Sequence, residues 1–267
     1  ALEAVLDKIA AYEDQTLAGA WYKTGLFLAD TYTQWWEQEF EFYNTYLRDT
    51  FLGPPWQNLH VYFHDAPYNG TDADACAAAI RSGWPQSALV HYSGHSGVAF
   101  YGKSYAIFTA FPSRNCGTGT CLDSDVDLLP SIVPGGAPLP FVVNSSCYNS
   151  AFNEVGTEAL MEALVARGDG GAIGSSGFST IAYQDEEEAF NTALFLQAFG
   201  APKVRRIGDL VEAGRFALPS TVSRAVLGNV LLGDPTLKLR LPAPPAPEGL
   251  TAASNDGAVA LEWTAPS

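Results

Sequence analysis

Short β-rich runs alternate with helix-patterned stretches along most of this chain, and that alternation limits the folds open to it. The runs are 25–29 (GLFLA), 58–64 (NLHVYFH), 87–93 (SALVHYS), 140–145 (PFVVNS), 170–176 (GGAIGSS) and 236–240 (TLKLR). Helical patterns cover the first twenty residues, 34–50, 71–82, 151–166, 185–199, 205–216 and 221–229. Thr71 and Asp72 suit a helix start, and Arg167-Gly168 suits a helix stop. Strands separated by helices need crossover connections, which place them side by side and parallel with helices on both faces. The pattern therefore predicts an α/β fold, a three-layer αβα sandwich around a mostly parallel central sheet. In such sheets chemistry gathers at the carboxyl ends of the strands.

This domain is expected to span 1–241. A proline-rich linker at 242–247 separates it from 248–267. There, alternating residues flank Asn255-Asp256-Gly257 and end near Trp263, which predicts a hairpin. The segment resembles the first two strands of a fibronectin type III domain and is too short to complete one. Residue 1 is Ala and no signal peptide is visible, as expected of a processed or excised fragment.

The chain has 14 Lys plus Arg against 29 Asp plus Glu, a net charge of −15. That field repels phosphate backbones and argues against nucleic acid as a partner. It suits a cationic substrate or a bound calcium ion. Asp123, Asp125 and Asp127 alternate in LDSDVDLL, as hard-cation ligands on a loop can, but without the Gly and distal Glu of an EF-hand loop. A structural calcium or a solvated acidic loop both fit this run. No run reaches the ~18 apolar residues of a membrane span.

Cys116 and Cys121 flank a Gly/Thr loop with the spacing of a local disulfide. Cys76 lies in an Ala-rich helical stretch and is expected to pack as a small apolar residue. Cys147 is left without an obvious partner.

Two segments each end a predicted strand with a reactive side chain among small residues. HYSGHSG places His95 past the third strand, and FVVNSSCYNSAF places Cys147 past the fourth. On neighbouring strands the two would share one sheet edge, where an imidazole can act as base to the thiol and as acid to a leaving amine. Small neighbours would let a peptide backbone approach and leave N–H groups for an oxyanion. GHSGV at 94–98 nearly matches the serine elbow of α/β-hydrolases. Val98 breaks that motif, and every histidine (60, 64, 91, 95) lies at or before 95, so none can follow Ser96 as that triad order demands.

Several blocks together resemble the catalytic domain of gingipains, bacterial cysteine peptidases with a caspase-like fold. HYSGHSG is similar to the family's Tyr-Thr-Gly-His-Gly block and CYNSAF (147–152) to its nucleophile block. TEALM (157–161), QDEEE (184–188) and LLGDPTLKLR (231–240) match later blocks in the same order. The resemblance spans roughly 12–241. It implies a protein or peptide substrate, no required cofactor, and a secreted or cell-surface location. It makes Cys147 the nucleophile and His95 the acid/base, with the oxyanion on backbone N–H groups of Cys147 and Ser96. The family has Gly where this chain has Ser96. Asp30 is the nearest match to the acid that orients the histidine, and it equally suits a helix cap. Glu37 comes late for the family's pocket acid. Phe178 falls where the family carries an aromatic pocket lid, and Asp185 is a candidate pocket wall. A preference for a basic residue at the cleaved position follows from the resemblance. A non-catalytic binding module and a transpeptidase using the same Cys and His are the other readings of this scaffold.

Overall fold

The computed structural model describes residues 2–14, 19–111, 124–131, 139–200, 203–218, 224–242, 248–255 and 258–264. The chain opens with helix α1 (Leu2–Asp14), then runs β1 (Thr24–Ala29), α2 (Glu39–Phe51), β2 (Gln57–Tyr62), α3 (Ala73–Gly83) and β3 (Leu89–Ser93). Three two-residue strands follow: β4 (Ser96–Gly97), β5 (Phe100–Tyr101) and β6 (Phe108–Thr109). Next come β7 (Phe141–Ser145), α4 (Leu160–Ala166), β8 (Gly174–Phe178), α5 (Gln184–Phe199), α6 (Ile207–Phe216), α7 (Arg224–Gly228) and β9 (Asn229–Leu232).

Among the described residues, the central sheet has the order β2-β1-β3-β7-β8-β9. Its first five strands are parallel and β9 closes the edge antiparallel. This is the expected α/β sandwich with a mostly parallel sheet. β1, β3, β7 and β8 are buried at every position, which is why they read as runs of apolar and small residues.

Alternation along each strand divides the core in two. Phe27, Ala29, Leu89, Phe141 and Val143 pack with Phe40, Tyr43 and Leu47 of α2 and with Phe190, Phe195 and Leu210 of α5 and α6. Leu26, Leu28, Val90, Tyr92 and Val142 point the other way, toward Cys76 and Ile80 of α3 and Leu160 and Leu164 of α4. Cys76 is thus a buried packing residue, as expected. Burying side chains of this size stabilises the fold by roughly 1.5–3 kcal/mol each.

α1 is fastened to the second of these layers by a buried ammonium. Lys8 Nζ donates to the carbonyls of Val165 (2.7 Å), Arg167 (2.8 Å) and Ala172 (3.0 Å), with Gly170 at 3.4 Å. These oxygens include those left open at the end of α4.

Two expected elements differ. Residues 236–240 do not join the sheet. Leu237 and Leu239 are buried, but their backbone pairs with the start of α6, through Ile207 N to Leu237 O (3.0 Å) and Leu239 N to Arg205 O (2.8 Å). The alternation reported burial correctly and the partner incorrectly. The edge strand is β9 instead, which lies between the helix expected near 221–229 and the strand expected at 236–240 and goes unread because four residues are too few to show a period. The helix expected over 151–166 starts at Leu160, because 152–158 are all exposed and present no apolar face to pack.

The tail hairpin is present as β10 (Glu248–Asn255) and β11 (Ala258–Thr264), an antiparallel pair of its own.

Candidate active site

β3 and β7 are parallel neighbours in register, with Ser93 opposite Ser145. His95 and Cys147 each lie two residues beyond that pair, so both leave the sheet at one carboxyl edge. The exits are tied together. Gly94 N donates to Ser145 O at 3.1 Å, and Ser96 Oγ donates to Cys147 O. Position 94 tolerates only glycine, since a Cβ there would lie 2.5 Å from Asp30 Cβ and 2.7 Å from the Tyr92 hydroxyl.

Cys147 is half-buried and unpaired. Tyr148 after it has φ +57°, and Asn149 N donates to Cys147 O at 2.7 Å. Cys147 thus opens a tight three-residue turn whose central residue lies in the left-handed region. Tyr148 N holds the turn to Thr180 O at 3.1 Å. Among the described residues no acceptor is found for the Cys147 N–H, which leaves it available to an oxyanion. The thiol donates to Ala182 O at 3.6 Å. Burial pushes its pKa up and Glu187 adds to the rise, while the Ala182 contact opposes it. At rest the sulfur carries its proton and needs a base.

The His95 ring is held by Glu37. His95 Nε2 lies 2.8 Å from Glu37 Oε1, and the ring stands edge-on to Phe40 at 5.3 Å. Glu37 sits in a 3₁₀ turn, Trp35–Gln38, that leads into α2. Its Oε2 accepts from Thr33 N (2.6 Å), Gln34 N (2.9 Å) and Thr33 Oγ1 (3.1 Å), while Lys103 Nζ donates to Oε1 at 2.8 Å. Burial opposes its charge. The hydrogen bonds from Lys103, His95, Thr33 and Gln34 outweigh that and hold the carboxyl well below the usual range. An ionised carboxylate only accepts, so Nε2 carries the hydrogen and Nδ1 keeps the lone pair.

Asp30 does not fill the orienting role expected of it. It is fully buried after β1; its Oδ1 accepts from Thr31 N at 2.7 Å, and its Oδ2 has no partner. The carboxyl faces backbone N–H groups of Thr31, His95 and Lys103, and burial pushes it up to about 7. Its carboxyl hydrogen bond goes to its own loop at Thr31, and the ring is held by Glu37.

Beneath the edge runs a buried polar chain that the sequence reading missed. His91 Nδ1 meets Asn44 Oδ1 at 2.6 Å, Asn44 Nδ2 donates to Leu28 O at 2.7 Å, and Asn191 Nδ2 donates to Ser145 Oγ at 2.6 Å. Ser145 Oγ lies 3.5 Å from His91 Nε2. Burial lowers His91 to about 3, so it is a neutral linker of β3 to α2.

The other expected site residues fall elsewhere. Phe178 is fully buried and packs edge-on to Phe190 at 5.9 Å; it is a core residue and not a pocket lid. Asp185 is exposed in the first turn of α5 and faces an open groove of about 740 Å³ between α2 and α5, shared with Glu39, Tyr43 and Glu188. Ser96 opens β4 and pairs with Tyr101, so its backbone is set by a ladder. Asp125 accepts from Arg81, from Thr109 N at 2.9 Å and from Thr109 Oγ1 at 3.3 Å. Asp127 accepts from Ser124 N at 3.1 Å and Oγ at 2.9 Å. These two carboxylates serve different partners, and no group of three metal-binding side chains occurs among the described residues. Asp123 and the Cys116–Cys121 pair lie outside the described residues. No described helix is long and apolar enough to cross a membrane.

Similar folds occur in solved structures. A protease structure superposes with TM-score 0.64 at 14% identity, over 95% of this chain and 56% of that one. The Arg-specific cysteine proteinase gingipain R (RgpB) gives TM-score 0.61 at 19% identity, over 95% and 56%. A complex of Porphyromonas gingivalis RgpB pro- and mature domains gives 0.62 at 18%, over 95% and 57%. This chain therefore spans just over half the length of each. No curated protein sequence matches it. The family model described as peptidase family C25 matches residues 1–240, and the chain belongs to that family.

Proposed function

We propose that this chain is a cysteine endopeptidase in which Cys147 is the nucleophile and His95 the acid/base. The observation that carries the reading is the in-register exit of both residues from β3 and β7, with the imidazole held through Nε2 by an ionised carboxylate. His95 Nδ1 takes the thiol proton as sulfur attacks the scissile carbonyl, and the electron pair moves onto the carbonyl oxygen. The Cys147 N–H supports that oxyanion, with the backbone at Ser96 beside it. Collapse expels the amine, which receives the proton from His95, and leaves a thioester. Water, deprotonated by the same imidazole, then releases the acid and restores the thiol.

A basic residue at the cleaved position is favoured by the net charge of −15 and by the printed Arg specificity of one structural neighbour. Asp185, on the rim of the α2–α5 groove, remains a candidate wall for it. Secretion or cell-surface display accords with the gingipain likeness. The β10–β11 hairpin is read as the start of a fibronectin type III-like segment beyond a domain ending near 241.

Iodoacetamide should alkylate Cys147 much faster than the fully buried Cys76, and His95→Ala should slow that reaction. A peptide library read by mass spectrometry should show cleavage lost in Cys147→Ala and reduced by roughly 10²–10⁴-fold in His95→Ala. Equal, slow labelling of both cysteines would defeat the proposal.

A further inference from the structure

We propose that Lys103 is a positioning residue for His95, sharing the Glu37 oxygen that holds the imidazole and so setting the pH at which His95 gives up its proton. This rests on reading His95 as the acid/base.

The arrangement is built rather than incidental. Lys103 Nζ and His95 Nε2 lie at 2.8 Å from the same atom, Glu37 Oε1. The lysine backbone belongs to the histidine's own frame. Gly102 N donates to His95 O at 2.8 Å and to the Tyr92 hydroxyl at 3.1 Å, and Tyr92 donates to His95 O. The carboxyl of Asp30 faces the backbone N–H groups of both His95 and Lys103. Gly102 has φ +104°, and a Cβ there would fall 2.0 Å from Tyr105 O. The turn that aims Lys103 back at Glu37 is therefore closed to other residues.

The charges around the imidazole come from four places. Glu37 precedes α2, Lys103 follows β5, Asp30 follows β1 and Cys147 follows β7, with Glu187 of α5 acting on the thiol. With neutral His95, the Glu37–Lys103 pair sums to zero. Without Lys103 an unbalanced carboxylate would face the ring and favour imidazolium. His95 would then hold its proton to higher pH and serve less well as a base in the neutral range. Lys103 is partly exposed, so solvent screens part of this effect.

The test compares wild type with Lys103→Met and Lys103→Arg in two measurements. NMR titration of the His95 ring protons should move upward by about 0.5–1 pH unit in Lys103→Met and return most of the way in Lys103→Arg. The pH profile of Cys147 alkylation should move with it, and the displacement should shrink at high salt. A His95 titration unmoved in Lys103→Met, or moved equally in the arginine variant, overturns the inference while leaving the peptidase reading intact. A titration that moves while alkylation ignores His95→Ala sustains the inference and defeats the peptidase reading.

Discussion

The two halves of the candidate site are built in opposite ways. On the histidine side the carboxylate that holds the ring is fully partnered, since both oxygens of Glu37 are filled by His95, Lys103, Thr33 and Gln34. On the cysteine side partners are missing. The thiol has one long contact to Ala182 O, and the nearly buried Glu187 leaves Oε1 without a partner. Burial, reinforced by Glu188 and Glu186, pushes Glu187 up to about 8. Under the proposed function, the contrast separates a preorganised acid/base from a nucleophile kept protonated until it reacts. Preorganisation lowers the reorganisation needed during reaction, whereas a buried neutral thiol resists oxidation and stray chemistry.

Replacing partners on the histidine side should cost most. Glu37→Gln keeps the shape and removes the charge that fixes the Nε2–H tautomer, so kcat should fall by about 10²-fold or more. Asp30→Asn should lower it by less than about tenfold, because Asp30 touches backbone. Steady-state kinetics on one peptide substrate would rank the two, and a reversed ranking would return the orienting role to Asp30. Ser96→Ala removes the hydroxyl bond to Cys147 O and should cost about 1 kcal/mol of stability with only a few-fold loss of rate; denaturant melts and kinetics together would show it.

The cysteine side should respond chiefly in stability. Glu187 binds its proton more tightly when folded than when unfolded, so the folded state holds more protons between about pH 4 and 8. Stability from this group is present at the acid end and is lost as pH rises toward 8. Glu187→Gln should flatten that decline and exceed wild type at pH 8 by on the order of 1–3 kcal/mol. Thermal melts at pH 5 and pH 8 would measure this, and parallel declines in both proteins would refute it.

Much of this architecture can be read from the residues. The sheet is legible because its central strands are buried on both faces and their runs are unbroken. His95 and Cys147 are legible because each is a reactive side chain among small residues at a strand end. Glu37 is not, since its bond to His95 joins positions 58 apart and depends on a 3₁₀ turn before α2. The only local trace is the capping pair Gln34 and Glu37, which marks a helix start without naming a catalytic partner. Lys103 leaves no trace, because a lysine in a loop resembles any surface lysine. Phe178 misled for the opposite reason: an aromatic at a strand end reads alike whether it lids a pocket or fills a core, and only packing against Phe190 decides.

The ammonium of Lys8 carries a consequence for the charge balance of the fold. It stands where a potassium ion would stand in a ring of peptide oxygens, and the ring belongs to segments more than 150 positions away. Lys8→Met would leave converging dipoles with nothing positive between them. Helix α1 therefore supplies an internal counter-ion to the fold.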